Sequence, residues 1–299
     1  MNGFLQEFVA IDLPALAAAL LALIACGTLG NWLVLRKESM TGDAIAHAVL
    51  PGLVAGFLVT GSRSVTAMFA GASIAGVAAI MLAGWVRKRT RLEPGASLGV
   101  VFTAFFALGV ALLESQGARQ IDLDPECVLF GSLETLFLVS VHDKPWYATL
   151  PHELWTLFAA AVLAIGFSVL FMKELALLAF DRNHARQTGA APRMLESLLL
   201  AVTSACVVAS FEAVGTILVV ALLACPALIA SPHARSVRGQ IAISLVAGSA
   251  LTIAGYALAA FAPTMFGAPS ALNAAGMIAV LLAIAVPASH MLRAMLRGA

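Results

Sequence analysis

Charge is what this sequence has least of. Only 11% of its 299 residues are Asp, Glu, Lys or Arg, against 61% hydrophobic, and the mean hydropathy is +0.98. A water-soluble domain carries roughly 25% charged residues. This chain therefore lacks the polar groups to cover a water-facing surface, and residues 1–299 read as a single membrane domain. The net charge of +1 gives no reason to invoke nucleic acid as a partner. Cysteine is scarce as well. Cys26, Cys127, Cys206 and Cys225 are scattered, with no CxxC and no ligand-type spacing, and three of them fall in apolar segments, where a thiol behaves as a small hydrophobe. That argues against a disulfide framework. The opening MNGFLQEFVAIDLP holds no Lys or Arg, so it lacks the basic region of a cleavable signal peptide, and the first apolar run is expected to stay as a span. No P-loop and no HExxH motif occurs, so nothing supports an ATP-hydrolysing or metalloprotease role for this chain itself.

What is abundant is apolar length. A bilayer core takes roughly 20 apolar residues per helix. The runs between charged punctuation give nine segments, at 13–35, 42–60, 65–86, 97–113, 153–173, 195–213, 214–231, 240–262 and 271–293. The expected fold is an all-α, polytopic transmembrane domain of about eight to nine membrane segments, some of them broken helices. Pro51-Gly52 interrupts the second run and Pro226 the seventh, and the sixth and seventh run together around Glu212-Ala213-Val214-Gly215.

Orientation follows from the basic residues. With the N-terminus outside, 14 of the 17 Lys and Arg fall at cytoplasmic ends, leaving Arg63, Arg119 and Lys144 outside. Cytoplasmic loops collect Lys and Arg, so the N-terminus is expected outside and the C-terminus in the cytoplasm. The long external segment, 114–152, carries six acids (Glu114, Asp122, Asp124, Glu126, Glu134, Asp143) and two bases. It is either an ordinary solvated loop or a docking and cation-collecting face. The main cytoplasmic loop is 174–194, with Arg182 and Arg186 one helical turn apart.

Ionisable residues within spans cost about 2.5–3.5 kcal/mol each on insertion scales and mark functional positions by default. Asp43 and His47 occur in Thr-Gly-Asp-Ala-Ile-Ala-His-Ala-Val-Leu-Pro-Gly, residues 41–52, and the spacing of four puts them on one helix face. A carboxylate oxygen and an imidazole nitrogen so placed can chelate a first-row divalent ion. Alternatively, Thr41 or Asp43 caps the helix start and His47 bonds a neighbouring helix. One chain supplies only two such ligands, and a second copy or a sister subunit would make four. Pro51 and Gly52, at which a helix can open toward a cavity, and Glu212, Gly215 and Pro226 are gate or hinge positions. His290, near the inner end of the last run, reads as interfacial.

Five ordered stretches resemble the ABC-3 family of metal-importer permeases. They are GDAIAHAVLPG at 42–52, PGASLGVVFTAFFALG at 94–109, DLDPECVLFGSLE at 122–134, KELALLAFDRNHARQTG at 173–189 and FEAVGTILVVALLACPALIA at 211–230. The third and fifth look most like the manganese, zinc and iron branch. The resemblance implies a permease subunit of a bacterial inner-membrane importer of divalent ions, manganese first, with zinc or iron also in range. It implies that Asp43 and His47 hold the passing ion. It also implies that Phe180, Asp181, Arg182, Arg186 and Gly189 dock a cytoplasmic ABC ATPase, which alone would hydrolyse ATP. An extracytoplasmic metal-binding protein and a second permease subunit, identical or different, are the other implied partners, and no cofactor resides in this chain. A departure at 224–230, Ala-Cys-Pro-Ala-Leu-Ile-Ala, stands where many relatives carry a small residue and Thr near the proline, and it bears on metal preference. Two other classes fit parts of the pattern. A secondary cation transporter or channel would need acidic pairs on several spans, and a siderophore or cobalamin permease would have little use for an Asp/His pair.

Overall fold

The computed structural model describes residues 12–38, 41–61, 65–90, 92–113, 133, 151–181, 192–265 and 272–298. Nine helices account for the regular structure among them: α1 (Leu13–Leu35), α2 (Thr41–Thr60), α3 (Val65–Thr90), α4 (Pro94–Leu113), α5 (His152–Leu170), α6 (Met172–Phe180), α7 (Pro192–Ala230), α8 (Val237–Met265) and α9 (Ala274–Gly298). Eight described segments are long and apolar enough to cross a bilayer, and α2 adds a shorter apolar stretch, His47–Thr60. The expected all-helical polytopic plan is the observed one. Most of the external segment 114–152 lies outside the described residues.

The physical reason for helices is the solvent. In hydrocarbon every backbone N–H and C=O must be satisfied internally, which a helix does within one segment. Several hydroxyls on the spans bond back one turn: Thr28 Oγ1 donates to the Ile24 carbonyl, Thr203 to Leu199 (2.7 Å) and Thr103 to Gly99 (2.8 Å). Large exposed apolar side chains such as Trp155, Phe158, Val162 and Val169 along α5 are ordinary where the surroundings are lipid tails.

Apolar runs six and seven form one 39-residue element, α7, with a break at Gly215, whose φ of 77° and ψ of 166° leave the helical region. That region of backbone space is essentially open to glycine alone, so this residue type permits the interruption between the Phe211 side and the Thr216 side of α7. Pro226 lies inside the second half of α7.

The chain divides into two compact units. One comprises residues 1–31, 125–170 and 209–299. Its core includes Leu23, Leu29, Leu218, Leu222 and Ile278, all fully buried. Backbones come close here: a Cβ on Gly30 would collide with the Leu223 carbonyl, and one on Gly248 would meet Leu23 and Pro226. The buried Asn31 amide donates to the Gly27 carbonyl and to Ser244 Oγ, both at 2.7 Å, the kind of interhelical polar contact membrane bundles use. Tyr256 OH donates to Asp12 Oδ1 (2.8 Å).

The other unit comprises residues 32–124 and 171–208 and contains α2, α3, α4, α6 and the first part of α7. Its organising feature is a seam of small residues between α2 and α3. Gly52 lies against Gly71 and Ala72, and Gly56 against Ala67 and Met68. Without a hydrophobic drive between helices in lipid, close backbone approach of this kind supplies the packing. On the other side of α2, Gly109 of α4 lies against Leu50 and Pro51. Residues 51–52 are thus clasped between α3 and α4.

Candidate functional site

The second unit holds the residues singled out on α2. Ala44, Ile45, Ala48 and Val49 form the fully buried face of this helix, and His47 stands half-buried beside them. At Asp43 the described part is the backbone, which continues the helix one turn before His47. Pro51 lies inside α2, four residues after His47, and has no N–H to donate to the His47 carbonyl. The helix nevertheless continues to Thr60, so Pro51-Gly52 does not end it, contrary to what an interruption implies. Packing explains this, since the glycine seam and Gly109 hold both sides of the proline turn.

The His47 ring is held by two aromatics of α4. Phe102 stacks on it, with centroids 5.2 Å apart and planes 24° from parallel, and Phe106 meets it edge-on at 6.0 Å and 84°. The two phenylalanines are four residues apart and so lie on one face of α4. Offset stacking and edge-to-face contacts each contribute about 0.5–1.5 kcal/mol beyond burial, enough to restrict the ring's orientation. Sequence reasoning singled out neither residue, although both lie within the 94–109 stretch. Among the described residues no group of three His, Cys, Asp or Glu side chains gathers around one point.

Elsewhere in this unit, α6 follows α5 after a single turn residue, Phe171. Its apolar residues divide. Leu175 and Leu178 are buried, 1% and 6% exposed, whereas Phe180 at the end of the helix is 71% exposed. Asp181 is exposed and closes α6 with its backbone N–H on the Leu177 carbonyl (2.8 Å). Arg182, Arg186 and Gly189 lie outside the described residues. In the other unit, Gly215 and Pro226 sit within α7, and at Glu212 the described part is again the backbone.

One short pattern has an enzymatic ring to it. Gly95-Ala96-Ser97-Leu98-Gly99 spells the GxSxG of a nucleophile elbow, which needs a serine on a sharp strand-to-helix turn. Here Ser97 is buried in the first turn of α4, its N–H on the Glu93 carbonyl (3.1 Å), and the preceding element is α3. The pattern is a helix start.

The whole-chain comparison decides the family. The model of the ABC 3 transport family matches residues 9–287. The chain belongs to the ABC 3 transport family. It is a multi-pass membrane protein and a transport subunit of that family, as its spans and relatives agree. It is 32% identical over 241 residues to the manganese transport system membrane protein MntC of Halalkalibacterium halodurans, covering 81% of this chain and 76% of that one. It is 31% identical over 247 residues to the zinc transport system membrane protein TroC of Treponema pallidum, covering 82% and 79%. Among solved structures, PsaBC from Streptococcus pneumoniae in complex with Fab superposes with a TM-score of 0.76 over 96% of this chain and 94% of that chain, at 24% identity. That likeness is one of fold.

Proposed function

We propose that this chain is the permease subunit of an ATP-driven importer of divalent metal ions in a bacterial cytoplasmic membrane, with manganese the first choice and zinc or iron next. The family match over residues 9–287 carries the transport role, and similarity to relatives named for manganese and zinc transport supports the cargo. The site assignment rests on residues 41–52. Asp43 and His47 share one helix face by their spacing, and His47 is held by Phe102 and Phe106. A mixed oxygen and nitrogen donor pair suits first-row divalent ions, and two ligands per chain suit a transient site, since tight binding would trap the cargo. A second permease subunit would complete the coordination.

Orientation in this reading follows the basic residues, with the N-terminus outside and the C-terminus in the cytoplasm. The 114–152 face would receive the ion from an extracytoplasmic binding protein. The exposed Phe180 and the residues after it would dock a cytoplasmic ATPase, whose closure switches access from outside to inside. Glu212, Gly215 and Pro226 would serve as hinge positions in that switch, and Gly215 is suited to it by a backbone already outside the helical region.

Metal uptake by Asp43→Ala and His47→Ala cells tests the site. Each variant should reach the membrane at nearly the wild-type level and lose uptake, because each removes half of the chain's ligand set. Uptake at the wild-type rate in both would return the pair to a capping and packing role.

A further inference from the structure

At the end of α1 the chain makes a tight C-terminal turn. Glu38 N–H bonds the Leu33 carbonyl (2.8 Å) and Lys37 N–H the Val34 carbonyl (3.0 Å), with Lys37 at φ 59°. This is a Schellman motif with lysine where glycine is usual. A non-glycine residue in the left-handed region is unfavourable and persists only where the surroundings over-determine it. The residues flanking Lys37 supply that constraint. Arg36 Nη2 lies 3.0 Å from Glu38 Oε2 and 3.1 Å from Glu196 Oε1, and its side chain is only 8% exposed.

The pairing is unsaturated. Both carboxylates converge on the one Nη2, whereas buried Nη1 has no hydrogen-bond partner among the described residues. A guanidinium can offer both nitrogens to a single carboxylate in a bidentate fork, a mode this pairing does not use. The positions of the three residues matter as much as their charges. Glu38 sits in the turn that launches α2, its carbonyl accepting the Thr41 N–H at 3.0 Å. Glu196 lies on the second turn of α7, just after the segment 182–191. A buried ion pair is weak evidence for stability, since apolar residues of the same volume often do as well. A cation holding the start of α2 to the start of α7 calls for another role.

We infer that Arg36 is a positioning residue of the transport cycle: its shared ion pair with Glu38 and Glu196 carries displacement of the ATPase-docking segment to the helix bearing Asp43 and His47. The inference rests on the permease reading above. The docking segment precedes α7 in sequence, and Glu196 on the second turn of α7 is tied through Arg36 to Glu38, just before α2, so a shift at Glu196 pulls on the start of α2. Cutting the clasp should leave both ends working and disconnect them.

The test uses the complete transporter in proteoliposomes, with manganese(II) as the probe and ATP hydrolysis read in parallel. In Arg36→Gln, membrane level, ATPase co-purification and ATP turnover should persist, while manganese moved per ATP falls about tenfold, a coupling loss of the usual size for a relay position. The manganese concentration at half-maximal uptake should move far less than the maximal rate. Arg36→Lys keeps the charge but not the fork geometry and should fall between. The exchange Arg36→Glu with Glu196→Arg should recover part of the ratio. If Arg36→Gln does not insert, the same drop is expected in Glu196→Gln, which leaves Arg36 paired with Glu38. Uptake and hydrolysis falling in proportion, or a ratio unchanged in a working transporter, overturns the proposal alone. A wild-type complex that moves no manganese, zinc or iron overturns the permease reading and the proposal with it.

Discussion

Replacing Gly52 by alanine adds one methyl group at the tightest point of the α2–α3 seam. The new Cβ would stand 2.8 Å from the Ala72 Cα and 2.5 Å from the Ala75 Cβ, and would overlap the Gly71 carbonyl oxygen, whereas ordinary contact begins at 3.4 Å. None of these neighbours is the far end of a flexible side chain, so none can swing aside and the helices themselves must part. The shortfall at Ala75 is about 0.9 Å, and overpacking of this kind costs about 1–3 kcal/mol. Against it stands the gain of alanine over glycine in a helix, about 1 kcal/mol. The clash wins or draws on stability, and geometry decides function: Gly52 is five residues from His47 on the same helix, and Gly109 closes the other side at Pro51. Displacements near 1 Å at a reacting centre can cost about 100-fold, so metal uptake by Gly52→Ala should fall about tenfold or more, with a modest drop in thermal stability in detergent. Gly84→Ala is the control. It lies on α3 with nothing within 4 Å of its would-be Cβ, and it should keep full uptake and match or exceed the wild-type melting temperature. Wild-type uptake and melting in Gly52→Ala would refute the reasoning that this seam fixes the helix of the proposed ion site.

Two further outcomes are expected. Because Phe180 is 71% exposed, Phe180→Ala should fold normally yet weaken ATPase association by about 2 kcal/mol, roughly thirtyfold; an unchanged dissociation constant for the purified ATPase would remove Phe180 from the docking surface. A reporter fused near Asp143 should read outside and reporters at Gly189 and after Ala299 inside, since 14 of 17 basic residues fall on that side; a cytoplasmic signal near Asp143 would show the spans to be miscounted.

Much of the fold could be read from the chain because charge is so rare in it. Each cluster of Arg and Lys stops an apolar run, and helix ends such as Arg87-Lys88-Arg89 of α3 fall where the punctuation puts them. The joining of runs six and seven at Glu212–Gly215 was also visible, because a glycine beside a lone acid in an otherwise apolar stretch stands out; the structure breaks α7 at Gly215. Three features were not legible, each for a physical reason. Phe102 and Phe106 are apolar residues in a helix that is apolar all round, where lipid-facing and protein-facing sides share one composition, so periodicity cannot tell which ring meets His47. Leu175, Leu178 and Phe180 stand close together in one apolar stretch of α6, and nothing in their order tells that Leu175 and Leu178 are buried while Phe180 is exposed. Arg36 counts in the sequence only as one more inside charge, because its partner Glu196 is 160 residues away.

Those three misses share a direction, and it bears on where this permease keeps its mechanism. The proposed ion-ligating pair is local, two residues on one turn of α2, and local spacing is what a single sequence displays best. Everything that would steer the pair is non-local: the α4 rings that hold His47, the α3 backbone that fixes Gly52, and the Arg36 clasp to α7. A weak site of two donors per chain, as proposed, would have little selectivity of its own, since affinity for first-row divalent ions generally follows a common order, and geometry would do the sorting. Relatives about equally similar to this chain are named for manganese in one case and zinc in another. Metal preference in this chain is therefore better sought in the packing around α2 than in Asp43 and His47 themselves. If that is so, Phe102→Leu, which keeps apolar volume and removes the stacked ring, should change the ratio of manganese to zinc uptake more than it changes either protein level or ATP turnover. A ratio equal to that of the wild type would return selectivity to the ligands or to the protein that delivers the ion.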